Sequence, residues 1–284
     1  MWAILTDDTA APFVSYPFTA LQSRTGGCRF GEIVVLVAGT TVGKSTFVRQ
    51  VAVSFMEQGV KVGYIGLEEN ARRSLQGFCS VVVGRPLHLN PTAVDRVALR
   101  AAFDRLTPRL EVYDHQGRSD AASILRKMRY MVKGLGCRVV FLDHLSLVAA
   151  GFELSDDELR GLDHLMKELV TFVQETNATV FTVCHLSRPD KKGKSHEEGR
   201  QVTLADIRSS HGIAQAAFDV IALERNTQAE GDDRNQARVR VLKCRHTGDT
   251  GKAGIVAYDN VTGLLTEVGV AEFEEVTDET AAAY

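Results

Sequence analysis

The sequence has few of the features that mark a secreted or membrane protein. Its five cysteines are scattered, odd in number and without a CxxC pair, which argues against a disulfide framework or a structural zinc site. No apolar run approaches the ~20 residues needed to cross a bilayer, and Asp7 and Asp8 stand where a signal peptide would be basic. We therefore expect a reducing, cytoplasmic setting and no membrane partner.

A strong net charge is also missing, since the formal charge is −3 over 284 residues. The balance is uneven along the chain, because residues 267–284 hold six acidic residues and no basic one. Basic side chains instead collect in 188–200 and in 238–252. Local basic segments can contact phosphate although an acidic tail offsets the total charge. Charge alone therefore neither indicates nor excludes nucleic-acid binding.

Apolar runs alternate with helical patterns over most of the chain. The predicted strands are 32–38, 62–67, 110–113, 138–142, 179–184 and 220–223, and the predicted helices are 44–57, 70–83, 92–106, 119–133, 156–176 and 204–217. The C-terminal segments 237–245, 252–258 and 263–266 favour antiparallel strands. This alternation is typical of an α/β fold with a doubly wound, mostly parallel sheet. We predict one domain over 15–266, a flexible segment 1–14 and a disordered acidic tail 267–284.

The most specific motif lies between the first predicted strand and the first predicted helix. It reads AGTTVGKS from Ala38 to Ser45 and departs from the P-loop pattern only by alanine at the first glycine. Backbone N–H groups of such a loop, together with the helix N-terminus, bind phosphates. Lys44 is expected to reach the β- and γ-phosphates of an NTP, and Ser45 to bind Mg²⁺. The predicted nucleotide ligands here are Gly39, Thr40, Thr41, Val42, Gly43, Lys44, Ser45 and Thr46.

Three further candidates stand at the ends of predicted strands, which meet at one edge of a parallel sheet. Asp143 ends the run VVFLD and is expected to hold Mg²⁺ through water. Glu68 follows the second strand and is the predicted general base, with Glu69 as its rival. His185 follows another strand and is a candidate sensor of the γ-phosphate, with a packing role as the alternative.

Together these motifs resemble those of a known helicase family. The stretches AGTTVGKSTFVRQ, LEE, VVFLDHLSLV, VCHL, HEEGR, DIRSS, ALERN and LKCRHTGDTG occur in family order over about 15–265. They are similar to the helicase half of the T-seven-type phage primase-helicase, whose relatives include the mitochondrial Twinkle and bacterial DnaB-type helicases. The resemblance implies a RecA-like P-loop NTPase core.

The resemblance also implies a replicative DNA helicase that forms a ring, expected to be a hexamer, with ATP or dTTP bound between subunits. Hydrolysis would drive the ring 5′ to 3′ along single-stranded DNA, in phage-infected host cytoplasm or at a mitochondrial or viral replication site. Arg245 matches the arginine finger that reaches the neighbouring subunit's site, with Lys243 as its helper. Arg225 and Tyr258 match residues that sandwich the nucleobase, and Gln215 matches a glutamine linked to γ-phosphate sensing.

Two segments match the family's DNA-binding loops. The predicted DNA contacts are Arg188, Lys191, Lys192, Lys194, Arg208 and Ser209. The first segment is basic and holds no aromatic residue, so contact with backbone phosphates is favoured over base stacking. A solvated, charged loop is the alternative interpretation.

The chain also departs from the family pattern. No long helical pattern precedes Pro12, where the family has a linker helix, so ring formation is less firmly indicated than hydrolysis. No primase segment or zinc-ligand cluster is present, and Ala214 stands where close relatives carry a basic residue. The acidic tail is expected either to dock on a primase or DNA polymerase or only to aid solubility.

Two other functions fit part of the pattern. A RecA/RadA-type recombinase would also hydrolyse NTP on single strands, but it would form filaments. A nucleotide-binding scaffold that anchors a primase or polymerase would keep the P-loop without turnover. The pair Asp143-His144 and the stretch LKCRHTGDTG favour a helicase over a recombinase, whereas Glu68 and Arg245 favour turnover over a scaffold.

Overall fold

The computed structural model describes residues 12–87, 95–114, 121–149, 158–187, 195–207 and 210–268. Its strands are β1 (Phe13–Val14), β2 (Cys28–Arg29), β3 (Ile33–Ala38), β4 (Val62–Gly66), β5 (Leu110–Val112), β6 (Val139–Asp143), β7 (Thr179–His185), β8 (Asp219–Glu224), β9 (Gln236–Cys244), β10 (Gly251–Tyr258) and β11 (Leu265–Val268). Its helices are α1 (Thr19–Thr25), α2 (Lys44–Glu57), α3 (Ala71–Val83), α4 (Arg96–Leu106), α5 (Ala121–Lys133), α6 (Leu145–Ala149), α7 (Glu158–Thr176) and α8 (Ser210–Ala216). Within these ranges, no helix has the length and apolar character needed to cross a membrane.

Among the described residues, nine strands form one sheet in the order β11-β10-β9-β8-β3-β7-β6-β4-β5. The six strands from β8 to β5 are parallel, and β9, β10 and β11 extend the sheet with antiparallel pairings. The predicted mostly parallel sheet with C-terminal antiparallel strands is therefore confirmed. The predicted strands are found with bounds that differ by no more than two residues.

Helices cover both faces of this sheet, as in a doubly wound fold. Along β3, Val34 and Leu36 share one buried core with Phe47 of α2. The alternate residues Ile33 and Val35 share a second core with the helices α5 to α8 on the other face. A strand buried on both faces needs a continuous apolar run, which the sequence IVVLVA provides.

The two edges of the sheet have different roles, and we name them by the direction of the parallel strands. The carboxyl edge is where β8, β3, β7, β6 and β4 end, and the amino edge is where they begin. Antiparallel β9 runs in the opposite direction, because Arg238 pairs with Glu224 and Cys244 pairs with Asp219. The last residues of β9 therefore lie at the amino edge.

The helix predicted over 204–217 is wrong in its first half. A single 3₁₀ turn covers Leu204–Asp206, and α8 begins only at Ser210. The Asp206 carboxylate accepts hydrogen bonds from the backbone N–H and the hydroxyl of Thr203, at 2.8 and 2.7 Å. These bonds form a capping box that starts the turn. The turn ends because Ile207 takes an extended conformation and pairs with Leu186.

The helix predicted from 92 also begins later, at Arg96. Its N-cap is Asp95, whose carboxylate accepts a hydrogen bond from the N–H of Val97 at 2.8 Å. Residues 88–94 and 119–120 lie outside the described ranges, so the predicted helix start at 119 does too.

Both ends of the predicted domain extend slightly. Phe13 and Val14 form β1, which pairs with β2, so the last residues of the predicted flexible segment 1–14 belong to the fold. At the other end β11 continues to Val268. The Glu267 carboxylate accepts hydrogen bonds from the first two N–H groups of α1, each at 2.8 Å. The rest of the predicted acidic tail, 269–284, lies outside the described ranges.

Candidate active site

The P-loop lies at the carboxyl edge, between the end of the central strand β3 and the start of α2. Gly43 has a φ of 107°, in the left-handed region that favours glycine, and Thr41 has a φ of 62°. A positive φ is costly for a β-branched residue and persists mainly at functional sites. The loop therefore has the backbone geometry of a phosphate-binding turn that leads into a helix N-terminus.

Lys44 folds back onto this loop. Its Nζ donates hydrogen bonds to the carbonyl oxygens of Gly39, at 2.7 Å, and Ala38, at 3.3 Å. Burial lowers the pKa of Lys44, against the opposing effect of the nearby carboxylates of Asp143 and Glu68. The ammonium group is thus held at the mouth of the loop, where a phosphate oxygen could replace the two carbonyl groups as its partner.

Asp143 ends β6 at the same edge, and its side chain is almost fully buried. Burial, followed by repulsion from Glu68, raises the pKa of the Asp143 carboxyl to about 6. A bound cation would stabilise the ionised form of this buried carboxyl group. The hydroxyl of Ser45 and the carboxylate of Asp143 are both oxygen donors, the ligand type that Mg²⁺ prefers.

We expect the Mg²⁺ requirement of this site to rise in acid. Because the pKa of Asp143 lies above its ordinary value, the ionised carboxylate is fully present only well above pH 6 and declines as the pH falls through 6. The half-saturating Mg²⁺ concentration should therefore increase ~10-fold for each pH unit below about 6. Magnesium titrations of NTP hydrolysis at several pH values measure this. Asp143→Asn is the control, with weak binding at every pH, and a wild-type value that does not change with pH would contradict the assignment.

Glu68 follows β4 and faces two histidines. Its Oε1 lies 2.9 Å from Nε2 of His144 and 3.9 Å from Nε2 of His185. The two imidazole rings meet edge to face, with centroids 4.3 Å apart. The Glu68 side chain is 56% exposed, so a water molecule can reach its carboxylate.

Glu69, the rival candidate, faces the other way. The Arg49 guanidinium contacts its Oε1, and the hydroxyl of Ser74 donates a hydrogen bond to the same oxygen at 2.8 Å. The Glu69 side chain is only 15% exposed. This carboxylate is therefore neutralised by an ion pair, and the geometry favours Glu68 as the group available to accept a proton.

The donors of Glu68, His144 and His185 all lie within 4.8 Å of one another, which is close enough for a shared metal ion. Imidazole nitrogens suit zinc and other transition metals, whereas Mg²⁺ prefers oxygen ligands. This cluster is therefore distinct in its chemistry from the Mg²⁺ ligands predicted at Ser45 and Asp143.

The residues predicted to hold the nucleobase also lie at the carboxyl edge. Arg225 directly follows β8, and Tyr258 ends β10. Arg225 donates hydrogen bonds to the carbonyl of Arg234, at 2.6 Å, and to Oδ1 of Asn235, at 3.3 Å. Burial and the charge of Arg234 lower the pKa of Arg225, against an opposing effect of Tyr258.

By contrast, Gln215, Lys243 and Arg245 lie together at the amino edge. The N–H of Arg245 donates to the carbonyl of Phe218 at 3.0 Å, and the N–H of Phe218 donates to the carbonyl of Ile33, the first residue of β3, at 2.8 Å. The P-loop follows the last residue of the same strand. A strand of this length spans about 17 Å, so Arg245 cannot join the P-loop of its own chain without unfolding the sheet.

The side chains of this amino-edge group are held by α8 and the turn that follows it. The Arg245 guanidinium lies 4.8 Å from the centre of the Phe218 ring and donates a hydrogen bond to the carbonyl of Gln215. Nζ of Lys243 donates to the carbonyl of Ala217 at 2.7 Å and to that of Ala214. Burial and then the charge of Arg245 lower the pKa of Lys243. Arg245 is the exposed member of this cluster.

The predicted DNA contacts Arg188, Lys191, Lys192, Lys194, Arg208 and Ser209 lie outside the described residues. Their immediate surroundings are described. The turn after the first segment packs on the P-loop, since a Cβ added at Gly39 would lie 3.3 Å from Cβ of His196. The Arg200 guanidinium pairs with Asp206 at 3.1 Å, which links this turn to the chain just before 208–209.

Two side chains at the site were not predicted from the sequence. His144 contacts Glu68, and its only signal is its position directly after the strand-ending Asp143. Arg49 neutralises Glu69 from the second turn of α2, and the sequence holds no signal for that ion pair.

A mostly parallel sheet with a P-loop after its central strand defines a RecA-like P-loop NTPase domain. The chain belongs to the family of the DnaB-like helicase C-terminal domain, whose model matches residues 14–264. The family and fold predicted from the motifs are thereby confirmed.

Relatives with assigned functions support this placement. The chain is 38% identical over 268 residues to the DNA helicase/primase of Enterobacteria phage T3, covering 92% of this chain and 47% of that protein. It is 22% identical over 256 residues to the replicative DNA helicase DnaB of Leifsonia xyli, covering 88% of this chain and 55% of that protein. The chain thus spans about half the length of these relatives.

Solved structures agree on the fold. One of them, described as an ATPase domain, matches with a TM-score of 0.76 at 20% identity, covering 94% of this chain and 95% of that one. A DnaB-like replicative helicase, described with its interactions with primase, matches with a TM-score of 0.77 at 21% identity, covering 94% of this chain and 65% of that one.

Proposed function

We propose that this chain is the motor domain of a replicative DNA helicase, in which NTP hydrolysis drives movement along single-stranded DNA. The observation that carries the proposal is the placement of the P-loop, Glu68 and Asp143 at the carboxyl edge and of Arg245 at the amino edge. One chain therefore holds two halves of an NTPase site that it cannot close by itself. Neighbouring chains arranged head to tail would complete each site, and such contacts close into a ring, here a hexamer.

The chemistry follows from the groups at the carboxyl edge. The P-loop N–H groups and Lys44 bind the phosphates, and bound Mg²⁺, held by Ser45 and Asp143, would neutralise charge on the β- and γ-phosphates. Glu68 accepts a proton from a water molecule whose oxygen attacks the γ-phosphorus, and the bond to the β-phosphate oxygen breaks to release NDP and phosphate. Arg245 of a neighbouring chain offsets the charge that develops on the leaving phosphate oxygens. His185, whose Nε2 lies 3.9 Å from Oε1 of Glu68, would sense the γ-phosphate.

The remaining assignments concern the nucleotide base, the DNA and the partner proteins. Arg225 and Tyr258 would enclose the base of ATP or dTTP, while Gln215 and Lys243 would assist Arg245 at the neighbour's γ-phosphate. Residues 188–194 and 208–209 would contact the DNA backbone without reading sequence, as movement from 5′ to 3′ over any strand requires. The acidic tail 269–284 would contact a primase or DNA polymerase, and the work would take place at a replication site in the cytoplasm of an infected host.

The proposal is tested by measuring NTP hydrolysis per chain as protein concentration is raised, with and without single-stranded DNA. We expect the rate per chain to rise steeply with concentration and then level off, because each site needs two chains, and to be stimulated by DNA. Electron microscopy of the same samples should show closed rings. A rate per chain that is constant across concentrations would contradict sites shared between chains, and open filaments would favour a recombinase.

A further inference from the structure

The buried residue His144 is the closest side-chain partner of the proposed base. Its side chain is 8% exposed, whereas that of Glu68 is 56% exposed, and their atoms Nε2 and Oε1 lie 2.9 Å apart. An exposed glutamate on a loop would otherwise sample many rotamers, because nothing about a solvated carboxylate fixes its direction. Contact at 2.9 Å with a ring that is held in the protein interior would restrict the carboxylate to one of these rotamers.

The direction of a hydrogen bond across this contact follows from charge. An ionised carboxylate only accepts hydrogen bonds, so His144 would be the donor, with its proton on Nε2. The ring plane of His144 is set by the edge-to-face contact with His185, at 83° between the ring planes. His144 is also fixed along the chain, since it follows Asp143 at the end of a fully buried strand.

The contact with His144 gives the two carboxylate oxygens of Glu68 different roles. Oε1 is occupied by His144, and His185 lies 3.9 Å from the same oxygen. Oε2 is therefore the oxygen left to accept the proton of the attacking water. A base held in this way avoids the cost of orienting itself during the reaction, and misplacement of a reacting group by about 1 Å can reduce a rate ~10²-fold.

We propose that His144 is a positioning residue, which orients the carboxylate of Glu68 toward the attacking water by donating a hydrogen bond from Nε2 to Oε1. This inference rests on the proposed function, because it assigns a partner to the base of that same site. In this role His144 acts through Glu68, which its Nε2 contacts at 2.9 Å.

Two substitutions separate the hydrogen bond from the packing of the ring. His144→Phe fills similar space without a donor, and His144→Gln keeps a donor at nearly the same distance from the backbone. We expect His144→Phe to lower kcat ~10- to 10²-fold with unchanged affinity for a fluorescent nucleotide analogue, and His144→Gln to restore most of the rate. Should the phenylalanine variant not fold, His144→Leu serves the same purpose, with thermal unfolding measured for each.

The double variant with Glu68→Gln tests whether His144 acts through Glu68. In the Glu68→Gln background, His144→Phe should lower kcat by less than about twofold further, because the effects of residues that act as a unit are strongly non-additive. A wild-type kcat for His144→Phe, or an equal loss in both backgrounds, would overturn the inference while leaving the proposed function intact. Failure of the proposed function would give a different result, because Glu68→Gln alone would then hydrolyse NTP at the wild-type rate.

Discussion

Replacement of Arg245 by alanine is expected to lower kcat for NTP hydrolysis ~10³-fold or more, the effect of removing an arginine supplied to a phosphoryl-transfer site in trans. The same variant should bind nucleotide normally, because the P-loop lies at the other edge of the sheet. Arg245 is exposed directly after β9, where its guanidinium contacts the Phe218 ring and the carbonyl of Gln215. Steady-state hydrolysis and nucleotide binding, measured on the same preparation, separate the two effects.

Two controls define the role of the guanidinium. Arg245→Lys should recover little activity, because an ammonium group lacks the planar fork that contacts two phosphate oxygens. Lys252→Ala removes an exposed positive charge on neighbouring β10 and should leave the rate close to that of the wild type. Substantial hydrolysis by Arg245→Ala at high protein concentration would show that this arginine does not complete the site.

Replacement of Glu68 by glutamine is the second large effect, with an expected loss of ~10²- to 10⁴-fold in kcat. Glutamine has nearly the same shape and can still contact His144, but it cannot accept the proton of the attacking water. Nucleotide and Mg²⁺ binding should persist, since Lys44 and Asp143 are unchanged. Single-turnover hydrolysis with enzyme in excess measures the chemical step directly.

The adjacent residue provides a matched control. Glu69→Gln removes the same charge one position along the chain, but that carboxylate is engaged by Arg49 and Ser74. We expect this variant to lose thermal stability through the broken ion pair while keeping most of its kcat. The opposite pattern, an inactive Glu69→Gln and an active Glu68→Gln, would exchange the roles of the two residues.

The sequence was sufficient to predict the sheet and the P-loop, because both depend on local signals. The continuous apolar run IVVLVA is typical of a strand buried on both faces. The glycine-rich turn that ends in Gly43, Lys44 and Ser45 is typical of a phosphate-binding loop. The helix predicted over 204–217 was wrong in its first half, because Ile207 pairs in an extended conformation with Leu186, a residue of another segment. The sequence also could not choose firmly between Glu68 and Glu69, since that choice depends on Arg49, a residue distant in sequence.

The location of Arg245 in the fold could not be predicted from the sequence motifs. Motif order associates this arginine with the nucleotide site, but nothing in the spacing says that it stands at the edge opposite the P-loop. That follows from the pairing of β9 with β8 and of β8 with β3. Strand order and direction depend on contacts between residues that are distant in sequence. In this fold they put one part of the motif set at the carboxyl edge and the other part at the amino edge.

Mixing two inactive variants tests this arrangement most directly. Chains with Glu68→Gln keep a working Arg245, and chains with Arg245→Ala keep a working Glu68, so a contact between them in one orientation unites the two intact halves. We expect each variant alone to be nearly inactive and an equimolar mixture to regain a clear fraction of wild-type NTP hydrolysis. A mixture no more active than its two components, at concentrations where chains assemble, would contradict an active site shared between neighbouring chains.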